Sequence, residues 1–214
     1  MNDKTRLIAA IIVFGSLWGF LEAILGSLLK TADLPYGAIM TAGFAVPLLL
    51  IARRMYAKPG VSSGIGLVAG SLAFFNPWVG CSICSAIAIA AEGLIFEILW
   101  LKIDTQEIPQ TNLIQRASLG IVSAYAIYIG GYTITQILTP VVFGSFYLEN
   151  LAYLLPQILA RGLPAALLGG VTVLTILSIK PLHIRLPDKQ YYPLTAGVSA
   201  ICWIAVIASW IITA

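Results

Sequence analysis

Gly15-Ser16-Leu17-Trp18-Gly19-Phe20-Leu21-Glu22-Ala23-Ile24-Leu25-Gly26 lies inside an apolar run, 7–29, that a single charge interrupts. A proline-free run of that length reads as a helix able to cross a bilayer, for which about 20 residues are needed. Gly15, Gly19, Glu22 and Gly26 follow one another at spacings of three and four, so three bare backbone patches and one carboxylate share a helical face. Turned to lipid, that carboxylate would cost about 3 kcal/mol even on the mildest insertion scale. Small residues, by contrast, let neighbouring helices close around it. The face therefore points into a helical bundle, and Glu22 marks where function is to be sought.

Composition extends this reading to the whole chain. Of 214 residues, 59% are hydrophobic and 10% charged, whereas soluble domains carry about a quarter charged residues. The expectation is an all-α, polytopic integral membrane protein of the cell membrane, with lipid as its first partner. Residues 1–214 form a single transmembrane helical domain, because no repeat and no long polar linker divides them. A net charge of +3 does not point to nucleic acid, since most basic residues stand in short loops where they set orientation. Lys4 and Arg6 ahead of an apolar run resemble a secretion signal. The run is about twice too long for one, contains Glu22 and lacks an Ala-x-Ala-type cleavage site, so it reads as a retained membrane helix.

Seven apolar segments follow: 7–29, 36–52, 61–77, 80–101, 117–139, 152–179 and 191–213. Punctuation such as Asp33-Leu34-Pro35, Lys58-Pro59-Gly60, Asn76-Pro77, Thr139-Pro140 and Leu186-Pro187 separates or bends them. If all seven cross, Lys4, Arg6, Arg53, Arg54, Lys58, Lys102, Arg116, Lys180, Arg185 and Lys189 fall on one side and Lys30 on the other. The positive-inside rule then places the N-terminus in the cytoplasm and the C-terminus outside. Segments two and three are short; six crossings, with one of these re-entrant, would bring the C-terminus inside. Tyr36, Trp78, Phe146, Tyr147 and Trp210 are expected near the outer interface, and Tyr56, Trp100, Tyr191 and Tyr192 near the inner one.

Glu22, Glu92, Glu97 and Arg161 are the ionisable residues within these spans. At about 1.5 Å rise per residue, Glu22, Glu92 and Arg161 lie roughly 12, 18 and 14 Å below the outer ends of their helices. Sharing a layer, an acid and a base should pair, either as a structural lock or as a substrate contact. No other buried cation is apparent, so Arg161 is expected to couple to Glu22. Glu97, close to Trp100 and Lys102, is expected to reach the interface. Around Arg161, Pro156, Gly162 and Pro164 free helix carbonyls that protein or cavity water must satisfy. Ser118, Tyr125, Tyr128, Tyr132 and Gln136 form a polar and aromatic stripe on segment five. Such a stripe serves either a helix interface or a small-molecule pocket. Glu22, Glu92, Tyr128, Tyr132 and Arg161 are thus the candidate substrate-binding residues.

Cys81, Cys84 and Cys202 give no disulfide framework. Cys81-Ser82-Ile83-Cys84 at a helix start could nevertheless exchange thiol for disulfide, and it resembles the redox pair of quinone-linked disulfide-forming membrane proteins. His183, the only histidine, stands in a loop, so no metal site is expected. No cofactor motif and no nucleophile-base pattern is present.

Trp18-Gly19-x-x-Glu22-x-x-x-Gly26, followed by Leu34-Pro35 and Ala52-Arg53-Arg54, resembles uncharacterised membrane proteins associated with the substrate-binding (S) subunits of energy-coupling-factor transporters. The short, very apolar bundle with basic loops looks like such a subunit too. The resemblance spans roughly the first hundred residues. It implies a non-enzymatic chain that binds a vitamin-like or metal substrate near the outer face, and topples when docked to a transmembrane coupling subunit and two ATPases. S subunits usually have six helices, and their first helix docks through Ala-x-x-x-Ala, where this chain has Gly15-x-x-x-Gly19. The alternatives are a membrane thiol-redox enzyme using Cys81 and Cys84, and a helical scaffold whose buried charges are structural.

Overall fold

The computed structural model describes residues 3–78, 81–103, 111–144, 148–179 and 187–213, with backbone alone for 3 and 148–152. Its elements are α1 (Asp3–Thr31), α2 (Tyr36–Met40), a π-helical turn (Thr41–Ala45), α3 (Val46–Met55), α4 (Val61–Ala73), α5 (Ser82–Trp100), α6 (Leu113–Val142), α7 (Leu148–Ser178) and α8 (Asp188–Thr213). No strand occurs among the described residues. Because α2, the π turn and α3 form one rod, there are seven rods among the described residues, and six are long and apolar enough to cross a membrane. The remaining one, α4, has 13 residues. It rises about 20 Å, short of the roughly 30 Å hydrocarbon core.

Close glycine contacts seat α4 between α1 and α5. A Cβ on Gly15 or Gly19 would lie 2.8 Å from the carbonyl oxygen of Ile65 or Ala69 on α4, and one on Gly66 would lie 2.8 Å from the Cα of Gly93 on α5. Backbones meet there because no side chain intervenes. The Gly15-x-x-x-Gly19 face is therefore covered inside the chain. The same device joins α6 to α7 at Gly120 and Gly169. Helix α8 packs on α1 through Ala23, Cys202 and Val206, and Trp203 donates its indole N–H to Ser16 at 3.0 Å.

Pro47 explains the π turn. Within the turn the Val46 N–H reaches back to the Thr41 carbonyl, and the next residue, a proline, has no N–H to offer Ala42. The orphaned Ala42 carbonyl instead accepts the Thr172 hydroxyl of α7 at 2.9 Å. A lost backbone bond thus becomes a tie between helices.

Polar contacts sort the two ends of the bundle. At one end Arg6 pairs with half-buried Asp188 at 2.6 Å, Tyr56 bonds Tyr191 at 3.0 Å, and Arg116 donates to Ser178 at 3.3 Å. At the other, Lys30 reaches the Trp78 carbonyl at 3.5 Å. The arginines of the described residues that were read as loop charges gather at the first end, the basic end, as seven traversals require. Lys180, His183 and Arg185, like Phe146 and Tyr147, lie outside the described residues.

Candidate functional site

Two polar layers interrupt the apolar bundle, and α5 contributes a carboxylate to each. The first is at the basic end. Arg53 donates to Glu97 at 2.7 Å and to the Trp100 carbonyl at 2.5 Å, while the second Glu97 oxygen accepts the Ser62 N–H at 2.8 Å. Arg53 and Glu97 are about 5–6% exposed. Beside them buried Arg54 donates to the Ile176 carbonyl and, at 2.9 Å, to that of Ile179. It thereby caps the C-terminal carbonyls of α7, where a cation also meets the negative end of the helix dipole. Trp100 is buried, stacked on Phe96 at 5.3 Å, and donates its indole N–H to Ser123 at 2.9 Å.

These contacts correct three expectations. Glu97 does not reach the interface but is locked in a buried ion pair. Trp100 is a core residue rather than an interfacial anchor. Arg53 and Arg54 are buried cations at the last turn of α3, so Arg161 was never the one positive charge available to the buried acids.

The second layer is a cavity of about 120 Å³ at the Lys30–Trp78 half of the bundle, open toward that end and lined from α1, α2, the π turn, α5 and α6. One water needs about 10–15 Å³ by the same measure, so several fit. Glu22, Glu92, Tyr128 and Tyr132 all face it, joined by Tyr36, Thr41, Asn76 and Trp78. Tyr128 and Tyr132, one turn apart on α6, stack at 5.8 Å. Glycines make the room. A Cβ on Gly131 would lie 2.7 Å from Glu92 Cγ, and one on Gly37 would lie 3.0 Å from the Tyr128 ring.

No ion pair reaches either cavity carboxylate among the described residues. Glu22 and Glu92 are near enough to feel each other's charge. The Trp18 indole, one turn before Glu22, is directed at that carboxyl but falls short of hydrogen-bond geometry.

Four of the five candidate residues are thus brought together, and Arg161 is not. It is exposed and donates to the Tyr132 hydroxyl at 2.8 Å, so it stands behind one wall of the cavity and does not pair with Glu22. The stripe on α6 also divides. Tyr125 turns to α7, donating to the Leu159 carbonyl at 3.2 Å, and Ser118 is exposed. Helix α7 itself continues through Pro156 and Pro164.

Tyr36 and Trp78 had read as interfacial aromatics and Asn76 as a turn residue, so their place in the wall was missed. Their one signal was adjacency to Gly37 and Pro77. Cys81 and Cys84, read as a pair able to exchange thiol for disulfide, are disulfide-bonded to each other, a local link within one helix start rather than a framework between segments. Cys81 caps α5, accepting the Cys84 N–H at 3.3 Å. Among the described residues no group of three or more His, Cys, Asp or Glu side chains could hold a metal. Compared with protein-family models, curated proteins and solved structures, the chain matches none.

Proposed function

We propose that this membrane protein is the solute-binding component of an uptake system, with its ligand held in the cavity between α1, α2, α5 and α6. One observation carries the reading: a cavity that opens at one end of the bundle and collects the carboxylates and aromatic hydroxyls which an apolar helical protein otherwise avoids. Intramembrane ionisable groups facing a cavity are a functional site by default, and apolar walls with a few convergent polar groups are how small molecules are held. The resemblance to S subunits of energy-coupling-factor transporters supplies the mode of action, in which a coupling subunit and two ATPases drive release. Docking would then use a surface other than the Gly15–Gly19 face, which α4 covers.

Native mass spectrometry of the chain purified in lipid tests this. A solute bound one to one, and lost in Glu92→Gln, is the expected result. A chain that emerges solute-free and that no member of a broad metabolite panel stabilises would overturn it.

The Cys81–Cys84 bridge favours one second reading, a thiol-redox enzyme. The pair would take two electrons and two protons from a substrate dithiol and pass them to a quinone. Quinone reduction by the purified chain, abolished in the double Cys→Ala variant, would establish it.

A further inference from the structure

We infer that the ligand of this cavity is a small organic cation, an alkylammonium of a few heavy atoms; the inference rests on the binding reading above and names its substrate class. The argument begins with charge. Two carboxylates line the cavity against one ammonium, that of Lys30, and Lys30 leans to the Trp78 carbonyl at the rim instead of pairing with Glu22 or Glu92. Neither carboxyl group has a protein counter-ion among the described residues, and a positive charge entering the cavity would meet both, so the cavity is complementary to a cation.

The walls decide which kind of cation. Tyr36, Trp78, Tyr128 and Tyr132 present aromatic surface around the same space, and aromatic faces bind ammonium groups that carry alkyl substituents. An inorganic ion would find only two of the several oxygen ligands it needs on charged groups, and no use for the rings. A separate observation also points to an occupant. Thr41 and Asn76 line the cavity and are only 3–4% exposed, yet the Thr41 hydroxyl and the Asn76 amide nitrogen make no described hydrogen bond; the Asn76 oxygen alone is engaged, with the Trp78 N–H at 3.0 Å. Neither atom is sealed from the cavity space, so each is open to water or to a guest that enters. These two face the cavity and suit a small polar substituent on the ligand.

The space suits a small guest: a volume of about 120 Å³, room for several waters, admits a compact ammonium of a few heavy atoms.

Thermal unfolding and tryptophan fluorescence of the wild-type chain in lipid nanodiscs supply the test, with methylammonium and tetramethylammonium chloride as probes. Sodium chloride at equal ionic strength, neutral tert-butanol and anionic pivalate serve as comparisons. Saturable stabilisation by either ammonium alone is expected. Glu22→Gln and Glu92→Gln should each weaken it about tenfold or more, the loss of one charge-assisted contact. Gly26→Ala is a fold-safe companion, because its Cβ would sit 3.8 Å from Met40 and 3.9 Å from Glu22, narrowing the cavity without a clash; it should discriminate against tetramethylammonium before methylammonium. Stabilisation by tert-butanol or pivalate and not by ammonium would overturn the cation class while leaving a solute-binding protein. An equal shift with sodium chloride would replace the organic cation by an inorganic one and overturn the inference. No shift with any probe overturns it as well, and the native mass spectrum then decides separately whether a solute is bound at all.

Discussion

Glu92 and Glu97 stand five residues apart on the same helix, in the same apolar surroundings, and meet opposite fates. Both oxygens of Glu97 are engaged, one by the Arg53 guanidinium and one by the Ser62 N–H. Glu92 faces open space, with no described hydrogen bond or ion pair and with Glu22, another acid, as its electrostatic neighbour. Where every polar atom has a fixed partner, the layer is a fastening. Where polar atoms converge on a hole and are left without partners, the protein has kept them for something that comes and goes. Intramembrane charge alone does not separate the two cases; the partners do.

The largest effect that would break this comparison is at the fastening. Removing one member of a buried ion pair leaves the other uncompensated, typically at about 3–5 kcal/mol. Arg53→Ala and Glu97→Ala should therefore each lower stability by that order, measured by thermal or denaturant unfolding in detergent. Arg53→Met with Glu97→Leu should recover much of the loss, because apolar residues of similar volume replace buried pairs well. Single variants that unfold like the wild type would mean that this layer is not a fastening.

Next in size is the Cys81–Cys84 bridge. It closes a loop of only four residues, so its contribution through the unfolded chain is at most about 2 kcal/mol. Replacing both cysteines with Ala should leave a folded protein with its binding intact, each being a small residue at the start of a helix. Loss of quinone-dependent thiol oxidation in that variant would turn the bridge into a catalytic one.

Smaller still is the expected cost at the cavity. Glu92→Gln keeps shape and removes a charge that nothing described compensates, so stability should change by about 0.5 kcal/mol or less, or rise. Ligand binding should be lost. If Glu92→Gln destabilises as strongly as Glu97→Ala, the two layers are alike and the cavity is structural.

How much of this was legible beforehand follows from the range of each signal. Hydropathy is local, and it located the rods; segment 61–77 shortens most, ending at Ala73, and beyond it the Trp78 N–H bonds the Asn76 side chain in a turn. The spacing of Glu22, Tyr128 and Tyr132 told which faces turn inward, since helical periodicity is also local. Pairing is not local. Arg53 and Glu97 are 44 residues apart, and nothing in either segment says that α3 ends level with the end of α5. A basic residue after an apolar run is usually a loop charge obeying the positive-inside rule. Arg53 and Arg54 sit at that end and also fold inward, so one signal concealed the other. The depth argument likewise brought Arg161 to the right level but carried no rotation about the α7 axis, and rotation is what turned it to Tyr132.

That last point yields the finest test. Depth and charge alone predict that Glu22 and Arg161 are coupled, so that the double mutant costs less than the sum of the singles. The geometry opposes this. Arg161 is exposed on α7, its described bond goes to the Tyr132 hydroxyl at 2.8 Å, and no described contact joins it to Glu22. In a double-mutant cycle, Glu22→Gln and Arg161→Gln should add to within about 0.5 kcal/mol, as independent sites do. Arg161→Gln and Tyr132→Phe should not add, because they remove the same bond. Strong coupling between Glu22 and Arg161 would mean that the arginine swings into the cavity, and the absence of a protein counter-ion, on which the contrast between the two layers depends, would no longer hold.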